Sequence, residues 1–196
     1  MEIVKIFGDT IWSVRYEGDN LDIFSQRMSE WLDMEYLDKY FNKNRKYIEQ
    51  NDFFKEHTFQ EVLVAAKMQA QRFLKDFKTY FKNEWKNRHP NFEDRFISFD
   101  KHPLGKDAER KKKMYGARAC EINSLFRLYA IRIDSEVEGK PPCYIIIGGG
   151  IKIKKSIQDD RLLMSEIKRF HSVEDWLKQN KIESKEQLII ESDGKI

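Results

Sequence analysis

Apolar residues recur in the strand period in some stretches of this chain and in the helical period in others. Leu125 to Ile133 alternates: Leu125, Arg127, Tyr129, Ile131 and Ile133 fall on one face, and Phe126, Leu128, Ala130 and Arg132 on the other. Both faces are mainly apolar, which predicts an interior strand. Asp134 to Pro142, rich in acids, Gly and Pro, turns the chain back. A return strand begins at about Cys143 and is apolar to Ile147. Gly148, Gly149 and Gly150 interrupt it, and it resumes as Ile151-Lys152-Ile153-Lys154-Lys155. The two strands are predicted to pair antiparallel, the second bent by a bulge.

Glu2 to Phe7 and Ile11 to Tyr16 are predicted strands on either side of a Gly8-Asp9 hairpin turn. Asp22 or Ser25 caps a helix from about Ser25 to Ile48, with a stripe of Phe24, Met28, Trp31, Leu37, Phe41 and Ile48. Thr58-Phe59-Gln60-Glu61 forms a capping box. The helix behind it carries Phe59, Val62, Leu63, Ala66, Ala70, Phe73, Leu74, Phe77, Phe81 and Trp85 on one side, and Asn87 to Pro90 end it. Two such helices joined by a short link predict an antiparallel pair. Phe96 to Asp100 alternates as a short strand, and Met114 to Asn123 supplies another. Asp159 to Phe170 and Val173 to Asn180 read as helices, the second opened by a loose capping box at Ser172 and Asp175. Leu188 to Ile190 reads as an edge strand.

The fold class expected is therefore α+β: a long antiparallel helix pair packed on a small twisted antiparallel sheet, with short C-terminal helices. One domain is expected over residues 1–196. It divides into an N-terminal β-hairpin (1–20), the helix pair (25–88), the sheet and basic region (92–170), and a C-terminal helix and tail (171–196).

Composition narrows the classes. Charged residues at 35% and aromatics at 13% describe a globular chain, not a disordered one. No apolar run approaches the roughly twenty residues of a membrane span, and no signal peptide is read, so a cytoplasmic protein without a membrane partner is expected. Cys120 and Cys143 lack metal-type spacing and fit a reducing compartment. His57, His89, His102 and His171 are scattered, so neither a metal site nor a cofactor is expected. Net charge is +3, but residues 1–40 hold nine acids against four bases, while residues 101–118 hold seven Lys/Arg against two acids. A basic second half facing an anionic partner and a solvated charge run are both open readings.

The three glycines lack the Gly-Lys-Ser/Thr ending of a phosphate loop. Asp159-Asp160 are adjacent residues and suit a helix N-terminus better than paired catalysis. What remains is a cationic set: Arg118, Arg127, Arg132, Lys152, Lys154 and Lys155, with Tyr129, Tyr144 and Ser156 among them. Cations of this kind hold a scissile phosphodiester and stabilise the charge of its transition state. With no His or carboxylate in place, a depressed Lys or a Tyr would have to move the proton. The competing reading is that Arg127 and Arg132 are strand residues paired with acids of the two helices.

The order of these pieces carries a resemblance. A helix pair, a basic segment, Met114-Tyr115-Gly116, Glu121-Ile122, Phe126-Arg127-Leu128-Tyr129, an apolar strand, Ile151 to Ser156 and a helix with Glu166-Ile167 follow one another. This resembles the RelE/ParE/HigB superfamily of bacterial toxin–antitoxin modules over about residues 92–170. The chain also resembles a group of uncharacterised bacterial proteins at Arg127 to Asp134 and Ile146 to Lys154. The superfamily resemblance implies a metal-independent, ribosome-associated mRNA endoribonuclease with an antitoxin protein, RNA and the ribosome as partners. It implies catalytic roles for Arg127, Lys154, Lys155 and Tyr129. RNA contacts would come from Arg118, Arg132, Lys152, Lys111, Lys112 and Lys113. Asn123 stands where that family's arginine usually does, and Ile151 and Ile153 replace its usual aromatic. A non-catalytic nucleic-acid- or protein-binding regulatory module of the same fold is the alternative.

Overall fold

A computed structural model of the chain describes residues 1–50, 54, 56–84, 96–98, 111–115, 125–153 and 161–194. Side chains are described for 1–50, 54, 56–79, 125–153, 165 and 168–194. The elements in chain order are β1 (Glu2–Phe7), β2 (Ile11–Arg15), α1 (Ile23–Leu32), α2 (Met34–Lys43), α3 (Arg45–Gln50) and α4 (Phe59–Glu84). They continue with β3 (Phe96–Ser98), β4 (Lys111–Tyr115), β5 (Phe126–Ile133), β6 (Cys143–Ile151), α5 (Arg161–Gln179) and α6 (Lys185–Asp193). The class is α+β, and the six strands form one sheet in the order β1-β2-β6-β5-β4-β3.

The sheet is mixed, which corrects the antiparallel expectation. β2 runs parallel to β6 over Ile11↔Tyr144 to Ser13↔Ile146, and every other neighbouring pair is antiparallel. Helices cover both faces. Toward α1–α4 lie Phe126, Leu128, Ala130, Tyr144 and Ile146, packed with Trp31, Phe73, Phe77 and Phe41. Toward α5 and α6 lie Tyr129, Ile131, Ile133, Cys143, Ile145 and Ile147, packed with Phe170, Val173, Leu177 and Leu188. β5 and β6 are thus buried on both faces, as their continuous apolar runs require.

The expected helix from Ser25 to Ile48 is three segments. Asp33 sits in extended backbone (φ −87°, ψ 117°), ends α1, and accepts from the Glu35 N–H to open α2. Asn44 closes α2 with its N–H on the Tyr40 and Phe41 carbonyls. Short polar side chains at both places compete for the backbone bonds a continuous helix would make. The apolar stripe survives the breaks because α1, α2 and α3 all turn it into one core. Of the two candidate caps, Asp22 caps α1, accepting from the Ser25 N–H, and the buried Ser13 hydroxyl accepts from Phe24 N–H. The Thr58 box forms as expected, Thr58 N–H donating to Glu61 and Glu61 N–H to the Thr58 hydroxyl. Glu61 is held below the usual carboxylate range by the Thr58 N–H and the Thr58 hydroxyl, which both donate to its carboxylate.

Three further expectations change. α5 runs unbroken through Ser172 and Asp175, because Phe170, Val173 and Leu177 need one helix to reach the sheet. Leu188 to Ile190 is helical, within α6, where Ser184 and Gln187 form a full capping box. The strand expected from Met114 begins at Lys111, so the lysine run 111–113 is strand and not loop, and residues 116–123 lie outside the described residues.

β6 bends where expected. The register with β5 shifts between Tyr129↔Gly148 and Ala130↔Ile146, leaving Ile147 as the extra residue of a bulge. Gly149 is required by close approach. A Cβ there would lie 2.9 Å from the Arg127 carbonyl oxygen, 2.9 Å from Leu128 Cδ2 and 3.4 Å from Trp31.

Candidate nucleic-acid interface

The residues singled out for phosphate chemistry converge on the end of the sheet where β5 begins and β6 finishes, but only in part. Arg127 lies opposite Gly150 and Tyr129 opposite Gly148. Arg127 is 8% exposed, and its Nη1 donates to the carbonyl of its neighbour Phe126 at 2.7 Å. Tyr129 is fully buried, its ring 6.4 Å from that of Phe170. Reaching a substrate from that position would require Tyr129 to leave the core beneath α5. Lys152 is half-buried just past β6, its N–H donating to the Leu125 carbonyl at 2.7 Å. The Leu125 N–H in turn donates to the buried Gln69 side chain of α4, which ties the start of β5 to the helical layer.

Arg132 does not join them. It sits five residues along β5 from Arg127, roughly 17 Å at strand rise and on the opposite face. It forms an ion pair with Asp134 at 2.8 Å. That partner comes from its own strand end, not from a helix. Lys111, Lys112 and Lys113 occupy register positions opposite Ile131, Ala130 and Tyr129, and Tyr115 is opposite Arg127. The expected sites Arg118, Lys154 and Lys155 lie outside the described residues, as do Glu121, Asn123 and Ser156.

Sequence reading missed the groups that brace this end. β2 stops pairing with β6 at Ser13↔Ile146, so the next stretch of β6 has no described strand on that side. Two tyrosine hydroxyls reach it instead: Tyr16 donates to the Ile147 carbonyl at 3.1 Å, and Tyr40 to the Ile151 carbonyl at 2.9 Å. The Arg169 guanidinium of α5 lies 5.0 Å from the centre of the Tyr16 ring. One turn before Tyr40 on α2, Tyr36 stacks against it with centroids 6.3 Å apart. The 36–40 spacing was visible in the sequence as a helical pair, but its distance from Ile151, more than one hundred residues along the chain, gave no signal of contact.

Cys143 is buried, and burial pushes its thiol up to about 12, which leaves it unreactive at neutral pH. Among the described residues no group of three or more His, Cys, Asp or Glu is placed to hold a metal ion. No helix among them is long and apolar enough to cross a membrane. Comparison with known proteins adds no relative: no family model, curated protein or solved structure matches the chain.

Proposed function

We propose that this protein is a toxin-like component of a bacterial toxin–antitoxin pair that works by binding RNA rather than by cutting it. The observation that carries the reading is β4. Three consecutive lysines are held in a strand by a continuous five-residue register to β5, inside a segment of strong local positive charge. Lysines on a fixed backbone engage phosphates without losing the loop entropy a floppy run would lose. The element order after α4, with strands β4, β5 and β6 in an antiparallel meander and then α5, agrees with the order of pieces on which the toxin-family resemblance rests. The burial of Tyr129 and the separation of Arg132 favour binding over catalysis, since a nuclease needs its cations and proton carrier converging on one phosphate. A cytoplasmic location and a small antitoxin partner belong to the same proposal.

The test is anisotropy titration of a labelled single-stranded RNA against salt, with gel analysis of the same samples. Binding should weaken steeply as salt rises, and a triple change of Lys111, Lys112 and Lys113 to Gln should flatten that dependence while the RNA stays whole. Salt-independent binding, or none, overturns the reading.

An endoribonuclease remains the second reading, favoured by one observation: Arg127 and Lys152 flank Gly150 at the same end of the sheet. It requires metal-independent cleavage in the same gel, lost with Arg127→Ala.

A further inference from the structure

Protein interiors leave few voids larger than a water molecule, yet the α5 and α6 side of the sheet holds one. Ile131 and Ile133 of β5, Leu177 of α5 and Ile182 of the link to α6 line a cavity of about 320 Å³. All four side chains are buried. The backbone fixes this space. α5 ends in a Schellman turn: Lys181 takes the left-handed conformation (φ 56°), its N–H donates to the Lys178 carbonyl at 3.1 Å, and the Ile182 N–H donates to the Leu177 carbonyl at 2.9 Å. The turn brings Ile182 back toward Leu177 as a second wall. The residues that follow are tied to the strand end that the wall faces. Lys185 N–H donates to the Asp134 carbonyl at 2.9 Å, and Lys185 Nζ to the Pro141 carbonyl at 3.1 Å. Glu186 accepts from the Ser135 hydroxyl and the Glu136 N–H. The cavity is therefore preformed, and its size falls in the range of small-ligand pockets, roughly 300–1,000 Å³.

The rim carries charges of both signs. Glu174 and Lys178 stand one turn apart on α5, and Glu183 completes the rim from the link. The Glu174 side chain is only 16% exposed, with His171 Nδ1 3.6 Å away. Lys178 is exposed, and its ammonium makes no hydrogen bond or ion pair with another described residue. Lys111 of β4 stands opposite Ile131 in register, which places a second basic position on the same sheet face. Carboxylates and ammonium groups in balance around an aliphatic lining do not suit a polyanion. They match a zwitterion with an apolar body, because each of its charges then meets an opposite one while its hydrocarbon leaves water. We propose that this cavity binds an apolar α-amino acid. Its side chain lies among Ile131, Ile133, Leu177 and Ile182, Glu174 and Glu183 hold its ammonium, and Lys178 holds its carboxylate. The site goes beyond the RNA-binding reading and does not depend on it.

The full-length protein is titrated calorimetrically with L-leucine, L-isoleucine and L-phenylalanine. Separate arms use 3-methylbutylamine, which is leucine without its carboxylate, 4-methylpentanoate, which is leucine without its ammonium, and glycine, which has no side chain. Leucine should bind and raise the melting temperature as its concentration rises. The amine and the acid should each bind roughly tenfold more weakly, the loss of one charge-assisted contact. Glycine should give no heat. Lys178→Gln should weaken leucine roughly tenfold and leave the amine unchanged, whereas Glu174→Gln should weaken leucine to a similar extent and leave 4-methylpentanoate unchanged. Leu177→Phe fills the space and should abolish leucine binding. Melting curves establish that each variant is folded.

Absence of binding by all of the apolar amino acids overturns the site. The amine or the acid binding as tightly as leucine overturns a zwitterion as the occupant. Leucine binding that survives Leu177→Phe, or that is unchanged in both charge variants, overturns the cavity as its location.

Discussion

The two faces of the sheet are built differently, although β5 and β6 supply both. Toward α1–α4 the core is aromatic and tightly interleaved. Trp31 packs against Phe126 at 4.7 Å and edge-on to Phe73 at 5.7 Å, and Phe24 stacks on Phe77 at 4.7 Å. Gly149 leaves room for the Arg127 carbonyl and the Leu128 side chain, on the side where Trp31 packs. Toward α5 and α6 the core is mostly aliphatic, and it opens beside Ile131, Ile133, Leu177 and Ile182 into a cavity of about 320 Å³ rimmed by Glu174, Lys178 and Glu183. The contrast teaches where the molecule can tolerate change. The aromatic side fixes the sheet, including the end where Lys152 emerges, and the aliphatic side has slack at its far edge.

Trp31→Ala should cause the largest loss, about 3–5 kcal/mol in chemical denaturation, because it removes a fully buried ring from the tight side. Leu177→Ala on the other side should cost about 2 kcal/mol, the low end for leucine, because its void would join an existing opening. Equal losses would erase the contrast. Gly149→Ala tests the close approach directly. The new Cβ meets backbone and not only a flexible side chain, so about 1–3 kcal/mol should be lost.

Over the first pH unit above the ordinary thiol pKa, a pH experiment gives the smallest effect. The Cys143 thiol is raised by burial, so the folded state keeps a proton that the unfolded state releases. Its contribution is intact below the ordinary thiol pKa. Stability should then fall by about 1.4 kcal/mol per pH unit as pH rises from that value toward about 12. Cys143→Ser should remove that slope.

Much of the architecture was legible along the chain because it is locally encoded. The Gly8-Asp9 hairpin, the Thr58 box, the strands around residues 126–133 and 143–151 and the bend at the glycines follow from period, turn chemistry and capping, each decided within a few residues. The candidate site was legible only as types of residue. Alternation correctly put Arg127 and Tyr129 on one face and Arg132 on the other, but it carried no information about what would cover that face. Once α5 seated Phe170 there, Tyr129 became core.

By itself the sequence determined most of the helix and strand segments and which of their sides are apolar, since backbone sterics and hydrophobic period act over short spans; Leu188 to Ile190, helical within α6, was an exception. Only the tertiary structure decided the parallel seating of β2 against β6, the helical layers on both faces, and the meeting of Tyr16 and Tyr40 with the last residues of β6. Those outcomes depend on burying apolar surface on both sides of a shared sheet and on satisfying carbonyls left without a strand partner. The strand pairing and the tyrosine bonds join groups more than one hundred residues apart, and the layer packing joins groups tens of residues apart, which no local pattern records.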